Sequence, residues 1–387
     1  EERAQNMSCR IYMDHAATTE MLPEVREAME PYLREEYGNA STSYEMGVRM
    51  HDVLEDARAK IARVIDAQPE EIFFTSGGSE SDNWVIKNVA GEKKHIGKHI
   101  ITTKIEHHAI LRSCQYLESL GYEVTYLDVD DYGLVRAEDV ANALRDDTTL
   151  VSVMTGNNEI GTIEPIAEIG AFLRTKGVAF HTDAVQAVGQ IPISMSRIPV
   201  DYLSASAHKF HGPKGVGFLF VRKDQDLPSF IHGGSQERGK RAGTENIAGI
   251  VGMAEALSIA AHEMPYTRNR LIRLRNYFVE RVRHEIPQSR LNGHPYKRLP
   301  GNVNFSFAGI DATALLVLLE EDGICASAGS ACNTGQTRIS HVIEAIRVPD
   351  AYAAGSVRFT MGRDTTKRDV DACVDALKRS VTILRQE

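Results

Sequence analysis

The chain has 387 residues, 42% of them hydrophobic and 25% charged, and a formal net charge of -9. This length predicts about two domains with a large buried core. The negative charge argues against a general nucleic-acid-binding surface or an anionic-membrane surface. No apolar run approaches the roughly 20 residues of a membrane helix, and the polar residues 1–10 lack the apolar segment of a signal peptide.

The cysteines indicate a reducing compartment. There are five of them, an odd number, scattered along the chain without metal-ligand spacing, at Cys9, Cys114, Cys325, Cys332 and Cys373. A disulfide framework is not expected in a chain of this length, so free thiols and no metal site are predicted. We therefore expect a cytoplasmic protein.

Apolar, β-branched runs alternate with helical patterns through most of the chain. The predicted strands cover residues 72–75, 99–103, 123–127, 150–154, 179–182, 202–204 and 216–221. The predicted helices cover residues 48–65, 79–89, 109–120, 137–144 and 165–175. This alternation predicts an α/β fold, with a mainly parallel seven-stranded sheet covered by helices on both faces. Ligands of such sheets collect at the carboxyl ends of the strands.

The pattern changes after residue 246. A long helical segment over about 247–286 is followed by a strand over 303–307, a helix over 312–321 and a strand over 356–360. We expect a large domain of residues 18–262 and a smaller α+β domain of residues 7–17 and 263–387.

The first chemical motif is a strand, a glycine-rich turn and a helix start over residues 74–81. Glycines let a backbone approach an anion, and the free N–H groups of a helix N-terminus bind phosphate. The alternative is that Ser79 is simply the N-cap of a helix.

Two further strand-to-helix junctions carry polar residues. His107, in the run 103–109, is either a capping or packing residue, or a ring that stacks on an aromatic cofactor and moves protons. Asn158, in the run 157–161, either forms a turn or donates its amide to an anionic oxygen.

An aspartate and a lysine follow consecutive predicted strands. Asp183 closes an apolar run, and a carboxylate at a buried strand end needs a cationic partner such as a protonated pyridine nitrogen. Lys209, in the run 204–215, is either a solvated surface lysine or a nucleophile that forms a Schiff base. Because one predicted strand separates them, both are expected at carboxyl ends of nearby strands.

Three later features complete the pattern. The glycine-rich, charged run 232–244 is either a mobile surface turn or part of an anion site. Cys332 lies among very small residues in 327–335, where a thiol has the access that a nucleophile needs; we favour a reactive thiol over a structural one. Arg358 lies in a strand pattern, where it either forms an ordinary ion pair or binds a substrate carboxylate.

Together these stretches resemble the cysteine desulfurases of the NifS/IscS kind, which are class V aminotransferase-like, fold-type I pyridoxal-phosphate enzymes. The similarity runs from residue 12 to residue 366. It is carried by the Ser-Ala-His-Lys, Asn-Asn-Glu-Ile-Gly, Arg-x-Gly-Thr and Gly-Ser-Ala-Cys signatures. The stretch between Cys332 and Arg358 looks like that of the subgroup with an extended catalytic-cysteine loop, carried by the smaller domain.

The resemblance implies a role for each matching position. Lys209 would form a covalent aldimine with pyridoxal 5'-phosphate, Asp183 would pair with the pyridine nitrogen, and Gln186 would bind the ring hydroxyl. His107 would stack over the ring and assist proton transfer. The substrate carboxylate would be bound by Asn158 and Arg358. The cofactor phosphate would be bound by Ser79, Ser206, His208, the N–H of Gly78 and the neighbouring subunit's Thr244.

The implied reaction converts L-cysteine to L-alanine and leaves the sulfur on Cys332 as a persulfide. The partners implied are a second copy of the chain, forming a homodimer, and a protein that accepts sulfur for iron-sulfur cluster assembly, tRNA thiolation or DNA phosphorothioation. No direct nucleic-acid or membrane partner is expected. Two alternatives are another reaction on the same fold, such as transamination or C–S lysis, and a catalytically silent scaffold.

Two motifs depart from the family pattern. The usual Gly-Asn-Pro-Ser-Ser-x-His reads Gly-Asn-Ala-Ser-Thr-Ser-Tyr over residues 38–44. The usual Ser-Gly-Ala-Thr-Glu-Ser-Asn-Asn reads Ser-Gly-Gly-Ser-Glu-Ser-Asp-Asn over residues 76–83, which places an aspartate at position 82. Because Ser79 keeps a hydroxyl, phosphate binding is expected to survive.

Overall fold

The structure, a computed structural model, describes residues 10–328 and 339–386. Its strands, in chain order, are β1 Ile11–Tyr12, β2 Ile72–Thr75, β3 His99–Thr103, β4 Glu123–Leu127, β5 Thr148–Ser152, β6 Ala179–Asp183, β7 Tyr202–Ser206, β8 Gly217–Val221, β9 Ser289–Leu291, β10 Asn302–Phe307, β11 Ile324–Cys325 and β12 Ser356–Thr360. All seven strands predicted for the sheet are present, with ends that move by no more than two residues.

The helices lie between these strands and after them. They are α1 Pro23–Arg34, α2 Glu45–Val64, α3 Gly78–Glu92, α4 His108–Glu118, α5 Ala137–Ala143, α6 Ile166–Lys176, α7 Ile247–Glu285, α8 Ala312–Glu321, α9 His341–Ala345, α10 Asp350–Ala353 and α11 Lys367–Leu384. Short 3₁₀ turns cover Pro69–Glu71, Lys93–His95, Ala207–Lys209 and Glu237–Gly239.

The central sheet has the strand order β2-β8-β7-β6-β5-β3-β4. Strands β3, β4, β5, β6 and β7 run parallel, whereas β8 is antiparallel to both β7 and β2. The mainly parallel seven-stranded sheet is therefore confirmed. Because β2 and β7 are both antiparallel to β8, β2 has the same direction as the parallel strands. The carboxyl ends of β2, β3, β5, β6 and β7 consequently meet at one edge of the sheet.

Two cores cover the faces of this sheet, as expected for strands buried on both sides. One includes Ile101, Val151 and Phe180, and the other includes Trp84 and Leu219. Each strand near the middle is fully buried along its length, from β5 to β8.

A separate core surrounds the three-stranded sheet of order β12-β10-β9. It contains Phe305, Phe359 and Cys373 from the C-terminal part and Met13 from the N-terminal part. The short strand β1 pairs with β11 in parallel, which joins the two ends of the chain. The division of the chain at residues 262 and 263 stays a prediction.

Several elements were not predicted. The amphipathic helix α1 buries only Val25, while β1, β9 and β11 have three residues or fewer. Helix α11 starts at a capping box in which Thr366 and Asp369 bond to each other's backbone N–H groups. Its buried face packs on the smaller core, so tertiary contacts stabilise it.

Helix α7 is 39 residues long and carries Pro265 inside it. By length and composition it is the one helix among residues 10–328 and 339–386 that could cross a membrane, but half of its most apolar stretch is buried inside the protein. It packs against α1 and α2, which is the behaviour of a core helix.

The thiols of Cys114, Cys325 and Cys373 are free, as predicted. Cys114 and Cys373 are fully buried, and burial raises the pKa of Cys114 to about 12 and that of Cys373 still further. Both are therefore inert packing residues. Cys9 and Cys332 lie outside the described residues.

Candidate active site

Four neighbouring parallel strands deliver polar residues to the same edge of the central sheet. His107 follows β3, Asn158 follows β5, Asp183 ends β6, and Lys209 lies in the 3₁₀ turn directly after β7. The glycine-rich turn after β2 reaches this edge as well. The sequence prediction that these motifs converge at carboxyl strand ends is confirmed.

Lys209 points back to the N-terminal segment of the chain. Its Nζ donates hydrogen bonds to the carbonyl oxygens of Ala16 and Ala17, at 2.6 and 2.7 Å. Burial, followed by the nearby charge of Arg358, lowers the pKa of the Lys209 amine to about 8, against the opposing effect of Asp183. An amine with this pKa is partly neutral near pH 7, so it can act as a nucleophile or base. The surface-lysine alternative is therefore wrong.

Asp183 is 5% exposed at the end of its strand, and it accepts a hydrogen bond from the backbone N–H of Val185 at 2.9 Å. Burial raises the pKa of the Asp183 carboxyl, while His107, this N–H and Lys209 act in the other direction. A carboxylate oxygen of Asp183, one of Asp82 and a ring nitrogen of His107 all lie within 4.8 Å of one another. These three residues form an acidic floor of the site, which attracts a cation.

Gln186 and His107 border this floor. The buried Gln186 donates from Nε2 to the carbonyl oxygen of Ala16 at 2.9 Å, so it shares an acceptor with Lys209. The exposed His107 is the N-cap of helix α4, because its Nδ1 accepts from the backbone N–H of Ala109 at 3.1 Å. The capping interpretation of His107 is thus confirmed, and its ring still lies beside Asp183.

The glycine-rich turn forms a close-fitting cradle. Gly77 has φ of +148°, which favours glycine, and a Cβ at Gly78 would lie 2.5 Å from Cγ2 of Val185. Helix α3 begins at Gly78 with Gly77 as its N-cap, so Ser79 is an exposed first-turn residue and its N-cap interpretation is wrong. The first N–H groups of α3 have no intrahelical acceptors. They are available to an anion next to Ser206, whose Oγ is 3.4 Å from a Cβ built at Gly77.

His208 lies beside the lysine as a neutral ring. Its Nδ1 is 3.2 Å from Oγ1 of Thr18. Burial and the charges of Lys209 and Lys214 lower the pKa of His208 to about 4. A neutral imidazole can bind a phosphate as a hydrogen-bond donor without adding charge.

The loop containing Thr244 is anchored on both sides. Glu237 is buried and forms two 2.9 Å bonds with the guanidinium of Arg58, and Arg241 donates to Glu80 of helix α3 at 2.9 and 3.1 Å. The mobile-turn alternative is therefore wrong. Thr244 itself is exposed and lines a cavity with Ser76.

Arg358 joins three parts of the chain. Its Nη1 donates to the carbonyl oxygen of Asn158 at 2.9 Å and its Nη2 to Oδ1 of Asp14 at 2.7 Å. The side chain is buried, and its Nε has no hydrogen-bond partner among residues 10–328 and 339–386. The ion-pair interpretation is confirmed, but the guanidinium keeps a buried donor unused.

The described residues on either side of the Cys332 segment both lie at this site. Ser327 and Arg358 exchange backbone hydrogen bonds at 3.2 and 2.6 Å. After the segment, Oγ of Ser340 donates to Oε2 of Glu159 at 2.6 Å, and Nε2 of His341 bonds the carbonyl oxygen of Glu106 at 3.0 Å. Cys332 itself lies outside the described residues.

Sequence reasoning missed the central role of residues 14–17. Their carbonyl and carboxylate oxygens hold Lys209, Gln186 and Arg358 together. Residues 12–19 carry part of the family resemblance, which was the available signal. Asp82 was noted only as a departure from the family motif, and its contact with Asp183 was not foreseen because the two residues are distant in sequence.

Comparison with known proteins gives consistent results. Residues 11–373 match the aminotransferase class-V family. A cysteine desulfurase IscS from Dictyoglomus turgidum is 50% identical, over 98% of this chain and 96% of its own length. Another, from Methanosarcina thermophila, is 48% identical over 97% of this chain and 93% of its own.

Solved structures agree with these sequence relatives. A NifS-like protein matches with a TM-score of 0.91 and 38% identity, covering 97% of this chain and all of its own. SspA in complex with cysteine matches with a TM-score of 0.80 and 34% identity, over 90% of this chain and 98% of its own. DndA from Streptomyces lividans has a TM-score of 0.76 and 35% identity, over 89% and 97%.

Proposed function

We propose that this chain, which belongs to the aminotransferase class-V family and is a cysteine desulfurase, uses Lys209, Arg358 and Cys332 to move sulfur from L-cysteine to an acceptor. One observation carries the assignment of residues. Residues 14–17 hold two cationic side chains near each other: a partly neutral lysine, Lys209, and a buried arginine, Arg358, whose Nε has no hydrogen-bond partner in the described part of the chain.

The residues at the sheet edge fit pyridoxal 5'-phosphate, the cofactor that the family implies. The glycine cradle and the N-terminus of helix α3, with Ser206 and His208, suit the phosphate. Asp183 suits the pyridine nitrogen, since a buried carboxylate beside a second acid calls for a cation. Lys209 is the residue to which we assign the covalent link. When bound, the cofactor supplies an electron sink for the carbon that bears the substrate amine.

The flanking positions are assigned to the ring and to the dimer. Gln186 is assigned to the ring hydroxyl, and His107 would stack on the cofactor ring and assist proton movement. Ser79 adds a hydroxyl to the phosphate site. Thr244, exposed on an anchored loop, would reach the phosphate of a second copy in a homodimer.

Arg358 is assigned to the substrate carboxylate, together with the side-chain amide of Asn158. The guanidinium already donates to Asp14 and to the backbone of Asn158, which fixes its plane. The buried Nε is the donor left for a ligand. A fixed guanidinium loses little freedom when it binds a carboxylate, which favours a substrate with an α-carboxyl group.

Lys209 is assigned as the base. Its Nζ takes the proton from the α-carbon of L-cysteine and is held in position by the oxygens of Ala16 and Ala17 when it is free. The lowered pKa of Lys209, about 8, places the amine near the pH at which a base is most effective.

Cys332 is assigned as the sulfur acceptor within the chain. Its thiolate attacks the substrate sulfur, and the substrate C–S bond breaks with its electron pair staying on carbon. That carbon takes a proton, so L-cysteine and one enzyme thiol become L-alanine and one enzyme persulfide. The anchors at Ser327 and Ser340 support this role because both ends of the segment meet the site.

The persulfide then passes to a protein acceptor. The relatives named IscS favour an acceptor that serves iron-sulfur cluster assembly, whereas a thiolation protein or a DNA-phosphorothioation protein are the other candidates. A pull-down with enzyme that has been loaded with sulfur, followed by identification of the protein that receives it, distinguishes them. We place the reaction in the cytoplasm.

The test of this function is Cys332→Ser. The variant should keep the visible absorbance of the bound cofactor and lose alanine formation, and mass spectrometry should find an added sulfur atom on the wild type alone. Cys325→Ser is the matched control, because that thiol lies on the same stretch and has no assigned role. Sustained turnover by Cys332→Ser would contradict the assignment, and pyruvate instead of alanine would point to C–S lysis.

A further inference from the structure

Asp82 is a buried acid whose role the reaction above does not use. It lies on helix α3, its side chain is 1% exposed, and its Oδ1 has no hydrogen-bond partner among residues 10–328 and 339–386. An ionised carboxylate in that position would carry a large desolvation cost. The surroundings therefore decide whether Asp82 is charged.

The ring of His181 does not supply a cation. Its Nε2 is 3.6 Å from Oδ1 of Asp82, but the two ring nitrogens are engaged with the hydroxyls of Ser204 and Ser152 at 3.0 and 2.8 Å. Burial lowers the pKa of His181 to about 3. The ring is thus neutral, and no positive charge reaches Asp82 from this side.

On its other side Asp82 meets a second acid. Oxygens of Asp82 and Asp183 lie within 4.8 Å of each other, together with a nitrogen of His107. Two carboxylates this close do not both ionise readily. The positive charge of Lys209 and the N–H of Val185 favour ionisation of Asp183.

Burial and then the charge of Asp183 raise the pKa of Asp82 well above its ordinary value; a hydrogen bond with Ser204 acts in the other direction, and the carboxyl of Glu106 adds to the rise. Glu106 is itself buried, and burial raises its pKa to about 8, so it adds little negative charge at neutral pH. The groups that face the pair are therefore Glu106, His181, His107 and Lys209.

We propose that Asp82 is a positioning residue, which carries the single proton of an Asp82–Asp183 pair and so keeps Asp183 ionised toward the cofactor. This inference rests on the proposed role of Asp183 at the pyridine nitrogen. The proton on Asp82 limits the pair to one negative charge. When the pH rises far enough to remove that proton, the pair holds the cofactor's cationic ring nitrogen more strongly.

The first test uses the cofactor-free enzyme and Asp82→Asn, which keeps the shape of the side chain and restores the residue of the family motif. In the folded wild type Asp82 keeps a proton that the unfolded chain releases above about pH 4. Stability must then fall as pH rises. From about pH 5 to 7, the ratio of the wild type's unfolding equilibrium constant to that of the variant should therefore rise about tenfold per pH unit.

Glu164→Gln is the matched control. Glu164 is another buried acid, with an unpartnered Oε1 and with Oε2 accepting from Val135, and burial raises its pKa as well. Its hydrogen-bond partners among residues 10–328 and 339–386 are Val135, Thr155 and Ile166, and none of these is assigned to the cofactor. Glu164→Gln should change the pH dependence of unfolding in the same direction as Asp82→Asn. It should leave the pH dependence of cofactor binding as in the wild type.

The second test measures the apparent Kd of pyridoxal 5'-phosphate from the absorbance of the bound form, over the pH range in which the unfolding curves of wild type and Asp82→Asn stop diverging because Asp82 has lost its proton. As Asp82 loses its proton, the ratio of the wild-type Kd to that of Asp82→Asn should fall by about tenfold. Glu164→Gln should follow the wild type. If Asp82→Asn does not fold, Asp82→Ser removes the same carboxyl and replaces it in both tests.

The outcomes separate the two proposals. If wild type and Asp82→Asn have parallel pH profiles in both unfolding and cofactor binding, the inference about Asp82 is overturned, but the proposed cofactor site is not. Wild type that does not take up the cofactor would instead overturn the proposed function. The unfolding measurement needs no cofactor, so in that case it still decides whether Asp82 holds the proton.

Discussion

Two buried charged regions of this molecule differ in how completely their polar atoms are used. Arg58 and Glu237 have side chains 4% and 3% exposed. Their two mutual bonds are supplemented by an Arg58 bond to the carbonyl oxygen of Ile72 at 2.7 Å and by the N–H of Phe74, which donates to Glu237 at 2.8 Å. This pair has a partner on every side.

The cleft region is different. Arg358 keeps an unused Nε, and Asp82 keeps an unused Oδ1, although both side chains are buried. An unpaired buried donor such as this Nε recovers its desolvation cost when a ligand binds. The comparison teaches that the Arg58–Glu237 pair, with complete partners, holds the fold, whereas Arg358 and Asp82, with incomplete partners, lie where we propose that substrate and cofactor bind.

The sharpest test of the comparison removes the cleft amine. Lys209→Ala should lower the rate of alanine formation by about 10²–10⁴-fold, since it removes the proposed base. Its unfolding midpoint in denaturant should change little, because the hydrogen bonds of the lysine within residues 10–328 and 339–386 are to two carbonyl oxygens, and its side chain is not part of either core of the central sheet. Lys176→Ala, at an exposed helix end, is the control. A loss of stability with retained rate would reverse the assignment of the two regions.

The opposite result is expected at the complete pair. Glu237→Gln leaves the Arg58 guanidinium buried beside a neutral group, so it should lower the free energy of unfolding by about 3–5 kcal/mol. Asp128→Asn, which breaks the exposed pair with Lys104, should cost less than about 1 kcal/mol. Denaturant titration of both variants checks this. Equal effects would show that the buried pair contributes no more than a surface pair.

A smaller effect is expected from Arg358→Lys. The ammonium keeps the charge but cannot donate from a planar guanidinium, so the KM for L-cysteine should rise by about 10- to 100-fold with a smaller change in kcat. Steady-state kinetics measures both constants. Arg385→Lys, whose side chain bonds carbonyl oxygens near residue 288, serves as a control. A change in kcat alone would place Arg358 away from the substrate carboxylate.

The mildest test concerns pH. The proposed covalent link would need the neutral amine of Lys209, whose pKa is lowered to about 8 by burial and by Arg358. The rate at which the cofactor-free enzyme takes up pyridoxal 5'-phosphate should therefore rise as pH increases and level off above about pH 8. In Arg358→Gln this curve should move to higher pH, because a neighbouring positive charge has been removed. Stopped-flow absorbance records both curves, and an unmoved curve would deny the coupling.

Much of the fold follows from local pattern. The strands from 72 to 221 are short runs rich in apolar and β-branched residues, and such runs are a signal of a buried sheet. The short strands β1 and β11 carried no signal of this kind, since two residues have no period. Helix α1 buries a single side chain, so its pattern is nearly that of a surface segment.

The candidate site divides in the same way. Motifs at strand ends identified His107, Asp183 and Lys209, because the carboxyl ends of parallel strands meet at one edge. The capping role of His107 and the buried start of helix α3 at Gly78 depend on local geometry that the sequence leaves open.

Local motifs and the alternation of strand and helix patterns were enough to predict which residues end strands and face a ligand. The strand order of the sheet, the hold of Asp14 and Ala16 oxygens on Arg358 and Lys209, and the approach of Asp82 to Asp183 came from tertiary packing. Those contacts join parts of the chain that are about 100 to 344 positions apart. Their formation depends on how the sheet, its helices and the N-terminal segment pack together, which no local pattern encodes.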